Sequence, residues 1–325
     1  MVNNIIIFVL LFVTEVFYLK IAAHKGIIDS PNHRSAHTKP TIRGGGIIFI
    51  PAVLLFLLFF PEESTNYYFI TSVLLVSTIS FIDDIVSLST YIRMLIHFIA
   101  FTVIFYHLNF FNDLSIVSIG LIFLRYIFSL GYLNIYNFMD GINGITFLNA
   151  LISYVTFYIF NVYIFKFTNS SLLIILIIST LIFGFFNFRL KPKCFAGDVG
   201  SITIGFTIVY FLIKLFFVSN NYIVFLLLGV YLLDGGWTIF ERIVRKEKVF
   251  EPHKRHLYQL FANDLKTPHL KISVYYCILQ LVLNVLVMFF LITTKSNNLY
   301  KTLFILFLLS IFYFLIKNKV YKNIK

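Results

Sequence analysis

The sequence predicts an all-α polytopic membrane protein of about 10–11 transmembrane helices, with its N-terminus outside and its C-terminus cytoplasmic. Three observations carry that prediction. First, 59% of the 325 residues are hydrophobic and only 12% are charged, about half the charge of an average soluble domain, and the mean hydropathy is +0.91. Second, most of the apolar residues fall in runs of 15 to 20, the length that crosses a bilayer as a helix. Third, the Lys and Arg residues gather in alternate connections between those runs.

Eleven spans are expected, at 4–22, 46–60, 66–82, 94–108, 114–131, 145–165, 171–187, 202–218, 222–240, 272–293 and 299–316. The first has no cation before it, and Lys20 and Lys25 follow it. That polarity is opposite to a cleaved signal peptide and sets the N-terminus outside. The second is short and contains Pro51, and 94–131 is divided at 109–113 by a polar stretch. With this orientation the segments 20–45, 83–93, 132–144, 188–201, 241–271 and 317–325 lie inside. They hold 21 of the 26 Lys and Arg residues, and three, Lys166, Lys295 and Lys301, lie in or at the edge of the outside connections. The formal charge of +12 therefore reports topology, and no nucleic-acid partner is expected. Two cysteines, Cys194 and Cys277, are too few for a disulfide framework. The chain reads as a single integral membrane domain over 1–325.

The outside connections are short and nearly featureless, and within the spans only Glu15 and Asp234 are acidic. A transporter needs polar groups at the bilayer midplane, often on broken helices. Here the unusual polar residues lie at one face, in five inside loops. The loop at 20–45 puts Arg34, Lys39 and Arg43 beside His33, His37 and the run Gly44–Gly46. Glycine lets backbone N–H groups approach an anion, and the cations supply countercharge; lipid headgroups would also satisfy such a loop. The segment 83–93 opens with Asp83 and Asp84, two adjacent carboxylates at a membrane boundary. That arrangement is costly unless a cation sits on them, a divalent metal among the candidates, or water wets the helix end.

In 132–144, Asn134, Asn137 and Asp140 recur every three residues and would share a helical face. Two amides and a carboxylate suit a nucleoside or hydroxyl-rich ligand or a metal's outer shell; alternatively Gly141 and Gly144 are helix caps with Asp140 exposed. In 188–201, Asp198 stands between Gly197 and Gly200, as a metal ligand on a tight turn or a helix cap, with Ser201 a second candidate cap. In 241–271, His253, Lys254, Arg255 and His256 read as a phosphate clamp. A zinc pair lacks a third ligand nearby.

Taken as an ordered set, these motifs resemble the polyprenyl-phosphate N-acetylhexosamine-1-phosphate transferase family, glycosyltransferase family 4. The resemblance runs over about residues 20–260. The pattern D-x-P-x-x-R-S-x-H-x-x-P…G-G falls on Asp29, Pro31, Arg34, Ser35, His37, Pro40, Gly44 and Gly45. The acidic pair falls on Asp83 and Asp84, and N-x-x-N-F-M-D-G on Asn134, Asn137, Phe138, Met139, Asp140 and Gly141. G-D-x-G-S falls on Gly197, Asp198, Gly200 and Ser201, and the histidine motif on Pro252, His253 and His256. Asn143 stands where many members carry a second acid. The His-Lys-Arg-His run resembles the branch that initiates O-antigen or capsule glycans more than the peptidoglycan branch.

The resemblance implies transfer of N-acetylhexosamine-1-phosphate from a UDP-sugar to undecaprenyl phosphate, with release of UMP. The product would be a lipid-linked sugar diphosphate for cell-surface glycan, lipopolysaccharide or cell-wall synthesis. It implies Mg²⁺, with Mn²⁺ as the alternative metal, and a multi-pass protein of the bacterial plasma membrane with its site facing the cytoplasm. The lipid bilayer is a partner, and a homodimer is compatible with the family. Carried onto this chain, Asp198 is the main metal ligand with Asp84 near it, and Asp83 is the base for the lipid phosphate; a covalent aspartyl intermediate is the rival mechanism. Asn134, Asn137 and Asp140 go to the nucleoside or metal. His253, Lys254, Arg255 and His256 go to the diphosphate, and Arg34, His37 and Arg43 to further substrate contacts. The CDP-alcohol phosphotransferases are a different enzyme class with membrane aspartates, but their D-G-x-x-A-R run does not follow Asp140-Gly141. A lipid-linked-sugar transporter or flippase is the non-enzyme alternative.

Overall fold

The structure is a computed structural model, and it describes residues 2–31, 39–61, 67–247, 254–294 and 297–324. It is all-α. Ten helices among the described residues are long and apolar enough to cross a membrane. They are α1 (Val2–Lys25), α3 (Tyr67–Val86), α4 (Thr90–His107), α5 (Ile116–Phe138), α6 (Ile145–Tyr163), α7 (Ser170–Asn187), α8 (Gly197–Ser219), the span Tyr222–Val244, α11 (His269–Thr293) and α12 (Leu299–Ile324). A shorter apolar piece, α2 (Phe49–Phe59), follows a 3₁₀ turn at Gly45–Ile48. It is the short span with Pro51, whose missing N–H falls in the first turn, where no intrahelical acceptor is needed. The span Tyr222–Val244 is broken. A 3₁₀ segment, Tyr222–Leu228, leads into α9 (Gly229–Val244). Gln280 of α11 ties the break by accepting from Val230 N at 3.0 Å and donating to Leu226 O at 3.0 Å. A three-residue helix, α10 (Leu257–Gln259), lies in the loop before α11.

The sequence places all eleven spans, but it ends several of them too early. α5 continues past 131 to Phe138, so Asn134 and Asn137 are helical, as their expected shared face requires, and Asp140 falls just beyond the helix end. Asp83 and Asp84 belong to the last turn of α3, and Asp198 to the first turn of α8. In each case a polar side chain near the helix end has a partner in another element, so the backbone need not leave the helix to satisfy it.

α8 is the centre of the bundle. Every residue from Val199 to Leu212 is buried, against α3, α5, α6 and the Gly45–Ile48 turn. The approach to that turn is backbone on backbone: a Cβ on Gly46 would lie 2.0 Å from the Gly200 Cα. Beside it, β1 (Ile28–Asp29) and β2 (Thr41–Ile42) pair antiparallel, with Ile28 opposite Ile42. β2 is then stitched to the strand-like stretch before α8. Phe195 N donates to Ile42 O at 2.8 Å, Gly45 N to Phe195 O at 2.8 Å and Gly46 N to Ala196 O at 2.9 Å. This stitching brings the first and fourth motifs to one place.

Candidate active site

Asp84 is the residue from which the site is built. Its carboxylate accepts from Asp198 N at 2.8 Å and Val199 N at 2.9 Å. It therefore caps α8 from another helix, where a negative charge also meets the positive end of the helix dipole. Ser201, the expected cap, lies inside α8 because the helix begins four residues earlier; its hydroxyl donates to Gly197 O at 3.1 Å and to Asn137 Oδ1 at 2.7 Å. Gly197 adopts φ +72°, and a Cβ there would lie 2.5 Å from Asp84 Oδ2. Only glycine fits between the cap and the helix it caps.

Two arginines knit the carboxylates together. Arg43 Nε lies 2.6 Å from Asp84 Oδ1, and its Nη2 lies 3.0 Å from Asp198 Oδ1. Arg93 Nη1 lies 2.9 Å from Asp83 Oδ2 and 3.1 Å from Asp198 Oδ2. Asp83 also accepts from Leu88 N at 2.6 Å. Burial disfavours the Arg43 charge, but Asp84 and Asp198 outweigh it and raise the guanidinium above its ordinary range. Tyr18 of α1 holds the backbone at this point, donating to Arg43 O at 2.7 Å. Arg93 is the member of this cluster that reading the sequence by motif passes over. The signal was present, since it is the sole cation of 83–93.

The third motif sits alongside. Asn137 is tied to Ser201, one turn from Asp198. Asp140 accepts from Thr146 Oγ1, and burial pushes its pKa up to about 7 against that hydrogen bond. Asn134 is turned away, donating to Leu130 O at 2.7 Å and toward Met94 Sδ at 3.6 Å, so it makes no hydrogen bond to the carboxylates. Asn143 has a structural task. Its Nδ2 donates to Arg189 O and its Oδ1 meets His269 Nδ1, each at 2.5 Å. An acid at this position could not donate to the carbonyl. Cys194 is fully buried, and burial pushes its thiol well above the usual range.

The fifth motif is anchored from below. Asp234 of α9 accepts from Leu257 N at 2.8 Å and Tyr258 N at 3.4 Å, and from the hydroxyls of Tyr276 at 2.7 Å and Tyr313 at 3.1 Å. His256 is buried, with Nδ1 3.7 Å from the same carboxylate. Arg255 Nη1 lies 2.8 Å from Glu247. Tyr258 OH donates to Phe138 O at 2.8 Å, joining this loop to the third motif. Lys254 is described and half-buried, whereas Arg34, His37 and His253 lie outside the described residues. The structure thus gathers Arg43, Asp83, Asp84 and Asp198 into one hydrogen-bonded cluster and places Asn137 next to it. Asp140 follows Asn137 just beyond the end of α5, and the segment carrying His256 is joined to the same end by the Tyr258–Phe138 hydrogen bond.

Among the described residues no three His, Cys, Asp or Glu side chains stand close enough to hold a metal by themselves. The donor chemistry nonetheless suits a hard cation. Three carboxylates meet within reach of the same two guanidinium groups, and Mg²⁺ characteristically takes one or two carboxylates and completes its shell with water and phosphate. Asp198 is the most open of the three, with its side chain 17% exposed against 0% for Asp84.

The helical bundle, with buried carboxylates and two part-exposed guanidinium groups gathered at one end, defines an all-α polytopic membrane protein. Comparison with known proteins bears out the family resemblance drawn from the motifs: residues 66–216 match the family described as glycosyl transferase family 4. The chain is 26% identical over 310 residues to a probable undecaprenyl-phosphate N-acetylglucosaminyl 1-phosphate transferase of Bacillus subtilis, covering 90% of this chain and 84% of that one. It is 27% identical over 224 residues to a phospho-N-acetylmuramoyl-pentapeptide-transferase of Streptococcus thermophilus, covering 60% of this chain and 64% of the relative. A 95-residue stretch, 27% of each chain, is 34% identical to the same kind of enzyme from Streptococcus pyogenes.

Proposed function

We propose that this protein transfers N-acetylhexosamine-1-phosphate from a UDP-sugar to undecaprenyl phosphate, releasing UMP and starting a cell-surface glycan. The observation that carries the reading is the meeting of Asp83 and Asp84 with Asp198, brought together across 114 residues of chain by α8's N-terminus and by Arg43 and Arg93. Two phosphates must approach one another for this reaction, and their repulsion is the main barrier to remove. One relative is named for N-acetylglucosaminyl 1-phosphate transfer with undecaprenyl phosphate and another for phospho-N-acetylmuramoyl-pentapeptide transfer, and the Lys and Arg bias supports a cytoplasmic site, where a soluble UDP-sugar is available.

In this proposal a lipid-phosphate oxygen attacks the sugar-bearing phosphorus, the bond to the UMP oxygen breaks, and UMP leaves. Asp83 takes the proton of the attacking phosphate. With a second phosphate pKa of about 6, the transfer needs little driving force near neutrality. Arg43 and Arg93 move from carboxylate to phosphate as substrate enters, since their planar forks suit either partner. Asp198, with Asp84, would hold Mg²⁺, which supplies positive charge to the diphosphate. Asn137 and Asp140 face the nucleoside, and Lys254, Arg255 and His256 the diphosphate.

The test is UMP release from purified membranes given undecaprenyl phosphate, Mg²⁺ and a panel of UDP-N-acetylhexosamines. UMP that requires both lipid and metal is the expected result, and the best donor names the sugar. Folded protein that releases no UMP with any donor, and binds none of the radiolabelled UDP-sugars, overturns the reading.

A further inference from the structure

A second concave feature lies apart from the carboxylate cluster, between α9, α11 and α12. It encloses about 610 Å³, and none of Arg43, Asp83, Asp84, Arg93 or Asp198 lines it. Its long wall is α11 from Lys271 to Leu283. Twelve residue steps of helix rise about 18 Å, close to the roughly 15 Å of one hydrocarbon leaflet. The side facing away from the bundle is apolar and open: Leu279, Val282 and Phe312 are each about half exposed.

The two ends of this groove differ. At one end, nearest the start of α11, stands Lys271, exposed on the rim. It is one of only two charged residues lining the groove; the other is Asp234. Asp234 is spoken for, because its carboxylate accepts from two backbone amides and two tyrosine hydroxyls. The net invitation of the groove is therefore one apolar chain of leaflet length with an anionic group at its head. The inner wall includes Leu257 and Phe261, the segment that carries α10 and, just before it, His256. Whatever fills the groove presses on that segment.

We propose that this groove binds one anionic phospholipid of the surrounding bilayer, one of its two acyl chains along α11 and its phosphate on Lys271, and that the bound lipid braces the α10 segment. The chain it holds spans one leaflet, so the occupant is a bilayer lipid rather than a much longer isoprenoid. A flat lipid-facing surface would not discriminate between head groups; a recess with a single cation at its mouth does.

The experiment is native mass spectrometry of the full chain in detergent, titrated with phosphatidylglycerol or with phosphatidylcholine of the same acyl chains, alongside thermal midpoints. One retained phosphatidylglycerol, favoured about fivefold over phosphatidylcholine, is the result expected for one lysine at the membrane surface. Lys271→Glu, an exposed position that leaves the fold intact, brings retention of phosphatidylglycerol down to the phosphatidylcholine level. Leu279→Trp fills the groove and lowers retention of both. The thermal midpoint rises with phosphatidylglycerol in the wild type and in neither variant. Equal retention of the two lipids, or retention undiminished in Leu279→Trp, overturns the proposal. So does displacement of phosphatidylglycerol by equimolar undecaprenyl phosphate, which would give the groove to that lipid. No readout depends on turnover, so the result stands apart from the proposed transferase activity.

Discussion

At the residue scale, Asp198 is the most open carboxylate of the cluster and is paired through both oxygens. Asp198→Asn keeps the volume and removes the charge. We expect UMP release to fall at least about a thousandfold, as for loss of a principal electrostatic group, while the protein still elutes as a folded species in size-exclusion chromatography. Arg43→Lys keeps the charge but loses the fork that spans Asp84 and Asp198, and turnover should drop about 10- to 100-fold. Asp140 gives a pH prediction. Its folded pKa of about 7 lies above its ordinary 3.8, so its contribution to stability is complete below about pH 4 and is lost as pH rises through 7. Asp140→Asn removes that dependence. The wild type should lose about 1–3 kcal/mol relative to the variant between pH 4 and pH 8, measured as the difference in thermal midpoints across the series. At this scale much was legible in the sequence. Asp83, Asp84 and Asp198 were flagged as cations' partners, and they meet. What could not be read was which cation. Arg93 serves both Asp83 and Asp198; standing as the sole cation of 83–93 it points locally to Asp83, but nothing local points to Asp198, 105 residues away.

At the element scale, the crossing of α8 over the Gly45–Ile48 turn admits no side chain. Gly46→Ala would drive a Cβ to 2.0 Å from Gly200 Cα, and backbone on both sides leaves nothing flexible to yield. We expect a loss of about 2–4 kcal/mol, seen as a lower thermal midpoint together with weakened UMP release, because the same crossing sets Asp198 against Asp84. Helix ends show the limit of hydropathy. The apolar run of α5 stops near 131, but the helix carries on to Phe138 because Asn134 and Asn137 find acceptors and donors within the bundle. Composition marks where the membrane ends, and hydrogen bonding decides where the helix ends.

At the scale of the whole molecule, α9, α10, α11 and α12 converge on one carboxylate. Replacing Asp234 by Leu would strand two backbone N–H groups and the hydroxyls of Tyr276 and Tyr313. The expected cost is about 3–5 kcal/mol, with limited proteolysis opening the α10 segment first. The sequence showed Asp234 as a solitary acid in an apolar span but no sign of its partners, since all four lie on other elements, 23 to 79 residues along the chain. The number and order of spans were legible because each depends only on its own residues. The assembly of the site was not, because it depends on pairs.

The order in which those pairs become available has its own consequence. Arg43 precedes Asp84 in the chain and Arg93 follows it within ten residues, whereas the amides of Asp198 and Val199 come 114 and 115 residues later. At a ribosomal pace of about 5–20 residues per second, α8 emerges roughly 6 to 23 s after α3. For that interval the acidic pair is held by its two arginines and, at Asp83, by the Leu88 amide. These arginines are therefore placeholders during biogenesis, beside the phosphate-binding role proposed for them in the finished protein, and pulse-chase insertion assays should register their loss as slower maturation before any catalytic measurement is made.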